Sequence, residues 1–211
     1  LNRYDGYSFK VFRHDPDDSG SLEDDFIEAI YEDQDGILWV GSQDGWLEKF
    51  DPDNDRFTHY DLGARILSIF EDSFGRFWIG TLEPGLILFD RESGKSSLIW
   101  SEREISSIVQ DQDGQIWVIS TESGLGKFDE VDLNIVPVNL EYAVRKAIVD
   151  HQGNLWLASS GGGLVLFDPD TQSVEYFQHN PLDIDSISTN DISTIYEDHS
   201  GNLWVGTYDY G

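Results

Sequence analysis

Short apolar runs alternate with turn-forming residues along this 211-residue chain, and the order of these segments repeats. Each complete repeat has an Ile- and Val-rich run, an Asp-x-x-Gly segment, a run centred on a tryptophan, and a run that ends in Phe-Asp. Asp followed three residues later by Gly favours a tight turn, because the carboxylate caps backbone N–H groups. The pattern predicts strands joined by short turns rather than helices, whose i, i+3, i+4, i+7 apolar spacing is missing.

Tryptophan spacing gives the length of the repeat. Four tryptophans follow one another at intervals of 39 residues and a fifth comes 48 residues later: Trp39, Trp78, Trp117, Trp156 and Trp204. Four short strands in about 40 residues are typical of one β-propeller blade. We therefore predict an all-β fold, a β-propeller of four-stranded antiparallel blades.

The two ends of the sequence resemble complementary parts of one repeat. The last repeat stops after two strands, and the opening segment Leu1–Asp5 matches the third strand at Leu164–Asp168. Joining the two halves would complete a fifth blade and leave no exposed sheet edge. This arithmetic predicts a single propeller domain over residues 1–211, cut from a longer protein; an arc of a larger propeller is the alternative.

The charge of the chain excludes several classes of partner. Thirteen basic residues against 41 acidic ones give a formal net charge of −28. Nucleic acids and anionic membrane surfaces attract basic proteins, so neither is an expected partner. No apolar run approaches the roughly 18 residues of a spanning helix, so we expect no direct membrane insertion. Cys is absent, which excludes disulfides and thiolate metal sites.

The residues that recur in every repeat are interpreted as structural. We expect the five repeat tryptophans to pack between neighbouring blades, because a single small ligand would not make the same contact with five equivalent residues. The acidic residues that open the turns are expected to cap them: Asp33, Asp72, Asp111, Asp150 and Asp198.

Candidate chemistry for a metal, a cofactor or a catalytic centre is weak. The segment Asp51–Asp55 resembles the start of a calcium loop but lacks the Gly and Glu that complete one, and Asp15–Asp18 is a similar acidic cluster. Glu28 is a lone acid among mostly Ser, Leu and Thr at the position expected to line the channel. We predict no catalytic residue, no metal and no cofactor.

Ligand recognition in a repeat protein is expected where one face departs from the repeat. Trp46 replaces a turn glycine, and an exposed indole can stack on a sugar ring. Arg145 and Lys146 are unusual cations in so acidic a chain. The candidate ligand-binding residues are Trp46, Arg145, Lys146, Glu28, Tyr208 and Tyr210.

The register Ile-x-x-Ile-x-Glu-Asp-x-x-Gly-x-x-Trp-x-Gly-Thr resembles the two-component regulator propeller repeat. It covers essentially the whole chain, with mild departures at Ile119-Ser120 and Ala158-Ser159. The family forms the extracytoplasmic sensor region of bacterial hybrid two-component systems, histidine kinases and some diguanylate cyclases.

The resemblance implies a non-enzymatic, periplasmic sensing module of an inner-membrane protein, with a small molecule or oligosaccharide as ligand. A scaffold for homodimerisation of the receptor is the alternative function. A five-bladed glycoside-processing enzyme is the third, and would require paired carboxylates at the channel.

Overall fold

The computed structural model describes residues 1–101 and 104–208. Within these ranges every regular element is a β-strand and there is no helix. The chain divides into two compact units, which contain the described residues 1–101 and 104–208 respectively.

The first unit contains a two-stranded sheet and two four-stranded sheets, all antiparallel. The two-stranded sheet consists of β1 (Asn2–Tyr4) and β2 (Phe9–Val11). Sheet 1 consists of β3 (Ile27–Glu32), β4 (Leu38–Ser42), β5 (Trp46–Asp51) and β6 (Arg56–Asp61). Sheet 2 consists of β7 (Ile66–Glu71), β8 (Phe77–Thr81), β9 (Leu86–Asp90) and β10 (Lys95–Trp100).

The second unit repeats this architecture with two four-stranded sheets and a two-stranded one. Sheet 3 consists of β11 (Ser107–Gln110), β12 (Ile116–Ser120), β13 (Gly124–Asp129) and β14 (Asn134–Pro137). Sheet 4 consists of β15 (Ala143–Val149), β16 (Leu155–Ser160), β17 (Leu164–Phe167) and β18 (Val174–Phe177). The last sheet pairs β19 (Ile192–Glu197) with β20 (Leu203–Thr207). In every sheet, strands consecutive in sequence are hydrogen-bonded neighbours.

Burial follows the order of the strands in each four-stranded sheet. The second strands β8 and β12 are buried at all five positions. The fourth strand β10 is mostly exposed. An inner strand that is covered on both faces can carry a continuous apolar run. An outer strand faces solvent on one side, so its apolar and polar residues alternate.

The Asp-x-x-Gly segment forms the turn between the first and second strand of each sheet. The Gly36 N–H donates to the Asp33 carbonyl at 2.9 Å, and the other four repeats close in the same way. The five turn glycines have φ between 77° and 87°, in the left-handed region that only glycine adopts without steric cost.

Each unit has its own apolar core, built from facing sheets. In the first unit, Trp39 of sheet 1 packs with Phe77 and Phe89 of sheet 2. Gly41 allows this approach, because a Cβ there would lie 2.4 Å from Cγ2 of Ile66. In the second unit, Trp117 of sheet 3 packs against Phe167 of sheet 4 at 5.5 Å between ring centroids.

The predicted all-β fold of four-stranded antiparallel sheets is confirmed. Each end of the chain contributes a two-stranded sheet, as the half-repeats in the sequence indicate. A single closed domain of five blades over residues 1–211 stays a prediction.

Candidate functional site

One side-chain hydrogen bond recurs in all five repeats and joins the turn aspartate to the tryptophan six residues later. In the first repeat, Asp33 Oδ1 accepts the N–H of Asp35 and of Ile37, while Oδ2 accepts the indole N–H of Trp39 at 2.8 Å. The other four indole N–H groups donate to their aspartates at 2.7–2.8 Å. The aspartate therefore fixes both the turn and the tryptophan.

These hydrogen bonds favour the charged form of the aspartates. At Asp33, burial alone would raise the pKa, but hydrogen bonds from Trp39 and Ile37 and the positive charge of Arg91 together lower it below its usual value. At Asp198, the indole of Trp204 is the main cause of a lowered pKa. The carboxylates of Asp33 and Asp198 are thus held ionised, which suits a structural role.

Burial of the repeat tryptophans varies along the chain. Trp39, Trp78 and Trp117 are at most 3 % exposed, whereas Trp204 is 63 % exposed. Trp156 is half-buried and lies 5.6 Å from the Phe177 ring. The same hydrogen bond is therefore present in a buried and in a solvent-exposed setting.

A β-bulge lies near the start of the first strand in four repeats. The register shifts by one residue in β3, β7, β15 and β19. The extra residues are Glu28, Leu67, Arg145 and Ser193, which occupy equivalent positions in their repeats. At Glu28, this is the position that sequence analysis expected to line the channel. A bulge redirects one side chain and bends the strand locally, and bulges are common beside active sites.

Two of the candidate ligand-binding residues meet in the second unit. The guanidinium carbon of Arg145 lies 4.8 Å from the ring centroid of Tyr208. Together with Thr121 and Asp191, these residues line a cavity of about 620 Å³. A cation over an aromatic face is held in place by the ring electrons, so Tyr208 orients the guanidinium.

A short polar chain links two of the residues that line this cavity, Arg145 and Asp191. Arg145 Nη2 donates to Ser160 Oγ at 3.0 Å, and Ser160 Oγ donates to Asp191 Oδ1 at 3.1 Å. Thr121, Ser160 and Tyr208 each stand four residues after their repeat tryptophan, so three repeats contribute equivalent positions to the cavity lining and to this polar chain. Sequence analysis did not select Thr121, Ser160 or Asp191, although Asp191 falls where other repeats have Phe26, Arg65, Glu104 and Ala143.

The remaining candidates lie elsewhere. Glu28 accepts a hydrogen bond from Arg65 Nη2 at 2.5 Å in the first unit. Lys146 Nζ donates to Thr194 Oγ1 at 3.1 Å, on strands β15 and β19. Trp46 is half-buried and meets His59 edge to face at 6.4 Å. Tyr210 lies outside the described residues.

The acidic segments have structural partners. Asp55 pairs with Arg3 and Lys10, and Asp51 accepts the side-chain amide of Asn54. Asp18 pairs with Arg56 at 2.7 Å. Across residues 1–101 and 104–208, no group of three or more His, Cys, Asp or Glu side chains has a geometry that could hold a metal ion.

Sequence analysis missed a buried Glu48–His59 pair in the first unit. The side chain of Glu48 is 0 % exposed and its Oε1 lies 2.9 Å from Nδ1 of His59. The equivalent third-strand positions carry Ile87, Gly126 and Val165. An alignment of the repeats could therefore have revealed Glu48 as a charged residue at an otherwise apolar position.

Four segments of the sequence match the family model described as the two component regulator propeller: residues 21–44, 62–83, 100–122 and 186–209. Each segment contains a repeat tryptophan with its turn aspartate, and the segments recur along the chain with the spacing of the sheets. The chain belongs to the two-component regulator propeller family. The repeat around Trp156, where Ala158-Ser159 replaces Gly-Thr, is not among the four matches.

Several solved structures have a fold similar to that of this chain. One is described as the extracellular domain of a hybrid two-component system of B. thetaiotaomicron, with 24 % identity, TM-score 0.81, and coverage of 95 % of this chain and 28 % of that one. A second such domain, described as part of a one-component system of the same organism, has 21 % identity, TM-score 0.74, and coverage of 90 % and 28 %. Virginiamycin B lyase from Staphylococcus aureus has 14 % identity, TM-score 0.71, and coverage of 86 % and 63 %.

At these identities the likeness shows the fold alone, and the two-component regulator propeller chain spans about a quarter of the first two structures. Comparison with curated protein sequences finds no match. Among the described residues, no helix is long and apolar enough to cross a membrane.

Proposed function

We propose that this chain is a non-catalytic ligand-sensing module in the periplasmic region of an inner-membrane two-component signalling protein. Its membership of the two-component regulator propeller family supports this assignment. So does its likeness in fold to domains described as extracellular parts of such systems. The single observation that carries the proposal is the cavity in which Arg145 and Tyr208, both at positions that depart from the repeat, come together.

The chemistry of this cavity suits a small hydroxyl-rich ligand such as an oligosaccharide. Arg145 supplies hydrogen-bond donors, Asp191 supplies acceptors, and Thr121 supplies a hydroxyl group that does both. Tyr208 adds an aromatic ring that is 63 % exposed and can contact the apolar C–H side of a sugar. The cavity is open to solvent, and its volume of about 620 Å³ is sufficient for a small molecule.

The carboxylates near the bulges support a non-catalytic role. Glycoside hydrolysis uses two carboxyl groups facing one bond. Among the described residues that line the cavity, Asp191 is the one carboxylate, and it accepts the Ser160 hydroxyl. Glu28 is committed to its ion pair with Arg65 in the first unit. Signalling would then arise because the ligand binds one state of the receptor more tightly than another.

Calorimetric titration of the 211-residue chain with a panel of neutral and acidic oligosaccharides tests the proposal. The informative variants are Arg145→Ser and Tyr208→Thr, which install the residues that aligned repeats carry at these positions. We expect at least a tenfold loss of affinity in each. Glu28→Ser changes the equivalent bulge residue in the first unit and is expected to bind like the wild type.

Three outcomes would contradict the proposal. Equal affinity in wild type and Arg145→Ser would remove the cavity as the binding site. Absence of binding to every member of the panel, together with concentration-dependent dimers in light scattering, would favour a homodimerisation scaffold. Turnover of a chromogenic glycoside would show an enzyme.

A further inference from the structure

Sheet 1 buries a carboxylate at a position where the other sheets bury no charge. Glu48 lies opposite His59 in the pairing of β5 with β6, and the corresponding pair in sheet 4 is Val165 with Tyr176. Among the described residues, Glu48 Oε2 has no hydrogen-bond partner. Burying a charged group with an unsatisfied oxygen costs stability, so this substitution within the repeat calls for a physical explanation.

The pair holds a loop against the sheet. Glu48 Oε1 accepts the backbone N–H of Glu23 at 2.7 Å and lies 2.9 Å from Nδ1 of His59. The other ring nitrogen of His59, Nε2, lies 3.2 Å from the carbonyl oxygen of Ser19. This pair therefore joins the segment 18–24, which we call the latch loop, to β5 and β6 at two points. The Phe57 N–H also donates to the Gly20 carbonyl at 2.9 Å, and Arg56 pairs with Asp18.

These contacts require one proton more than a neutral imidazole and a carboxylate carry. A carboxylate and a carbonyl are both acceptors, and a neutral imidazole donates from only one nitrogen. Both contacts are hydrogen bonds when His59 is an imidazolium, or when Glu48 is a carboxylic acid that donates to Nδ1 while Nε2–H donates to Ser19. In either arrangement Glu48 and His59 share a single added proton. The apparent pKa for loss of that proton therefore describes the pair and neither residue alone.

The surroundings of the pair are mostly acidic. Glu23 and the buried Asp24 lie on the latch loop, and Asp24 accepts the N–H groups of Phe26 and Asp44. Asp18 on the same loop is paired with Arg56, and Asp61 follows on β6. Burial is the main cause of a raised pKa at Glu48, and the Glu23 carboxylate also raises it, against the lowering effects of the Glu23 N–H and His59. Loss of the shared proton is therefore unfavourable while the latch loop is closed.

We propose that Glu48 and His59 form a proton-dependent latch, which holds the segment 18–24 on sheet 1 while the pair shares a proton and releases it when that proton is lost. The contacts determine the direction of the pH dependence. Deprotonation leaves the Ser19 carbonyl facing a ring nitrogen without hydrogen, or a buried carboxylate without its proton donor. The latch is closed at low pH and opens as the pH rises through the apparent pKa of the pair.

The chain contains an internal control for this device. The segment 179–187 has the same internal hydrogen bonds as 14–22: His14 and His179 each place Nδ1 2.8 Å from a carbonyl eight residues later. Any effect of those two histidines or of the shared loop geometry will therefore appear in both loops. An effect confined to the latch loop belongs to Glu48 and His59.

Backbone hydrogen exchange between pH 5 and 8, corrected for the intrinsic rate, tests the proposal. We expect protection in residues 18–24 to fall with rising pH, by at most tenfold per unit because one proton is released. Protection in residues 180–187 should change little. The double variant Glu48→Val/His59→Tyr, which installs the pair used in sheet 4, should lose the pH dependence.

Glu48→Gln provides a second variant of nearly unchanged shape. Its amide oxygen still accepts from the Glu23 N–H and from Nδ1–H of a neutral His59, but Nε2 then has no hydrogen for the Ser19 carbonyl. Without the carboxylate no partner stabilises an imidazolium, so protection of residues 18–24 should be low at every pH and its pH dependence between pH 5 and 8 should disappear. Equal pH slopes for the two loops in the wild type would overturn the proposal. So would a slope that persists unchanged in Glu48→Gln.

Discussion

The hydrogen bonds around Asp72 predict a large loss of stability for Asp72→Ala. Its buried carboxylate accepts from the Trp78 indole at 2.8 Å, from the N–H groups of Phe74 and Arg76 at 3.0 and 2.9 Å, and from Arg76 Nε at 2.5 Å. Four donors lose this acceptor in the variant. At a net cost of about 1 kcal/mol for each, with more for the buried indole, the expected loss is about 3–5 kcal/mol.

The same motif in an exposed setting provides the control. Asp198 accepts the Trp204 indole N–H at 2.8 Å and caps its turn in the same way, but Trp204 is 63 % exposed and water can replace the lost acceptor. We expect Asp198→Ala to lose less than a third as much stability as Asp72→Ala. Urea unfolding followed by circular dichroism measures both losses, and hydrogen exchange in β8 and β20 locates them.

Similar losses in the two variants would refute this reasoning, because they would show that burial of the indole does not determine the cost. A loss below about 1 kcal/mol in Asp72→Ala would also refute it, since even one buried donor deprived of its acceptor costs that much.

Three further results are expected. His59→Ala should lower the melting temperature at pH 7 more than Glu48→Val/His59→Tyr does, because the single change leaves a buried charge without its partner. Gly41→Ala should cost about 1–3 kcal/mol in urea unfolding, because its Cβ would lie 2.4 Å from Cγ2 of Ile66. Folding lowers the pKa of Asp33, so the ionised carboxylate stabilises the folded state above the unfolded pKa, and this stabilisation is lost on acidification. The free energy of unfolding, measured from pH 5 down to pH 2, should therefore fall, and it should fall less in Asp33→Asn.

The strand order could be predicted from sequence because each determinant is local. A turn needs only Asp and Gly three residues apart, and a buried second strand needs only a short apolar run around its tryptophan. The hydrogen bond from the Trp39 indole to the Asp33 carboxylate could also be predicted, since the spacing of six residues recurs in every repeat.

Only part of the candidate site could be predicted from sequence, because its residues are brought together by contacts between distant segments. Arg145 was visible because a cation stands out in an acidic chain, but the cavity also needs Asp191, which lies 46 residues away and joins it through Ser160. The bulge that redirects Arg145 depends on pairing between strands, which sequence periodicity does not specify. Glu48 was missed because a charge on an inner strand has meaning only when the four third strands are compared.

The position of the bulges has a consequence for how such proteins diversify. The Asp–Trp hydrogen bond stabilises one end of each sheet, whereas the bulge lies at the other end, about 15 Å away along five residues of strand. A mutation at the bulge therefore changes a side chain that lies far from the hydrogen bond that secures the fold. New recognition surfaces can evolve, or be engineered, one residue per repeat and independently of folding stability.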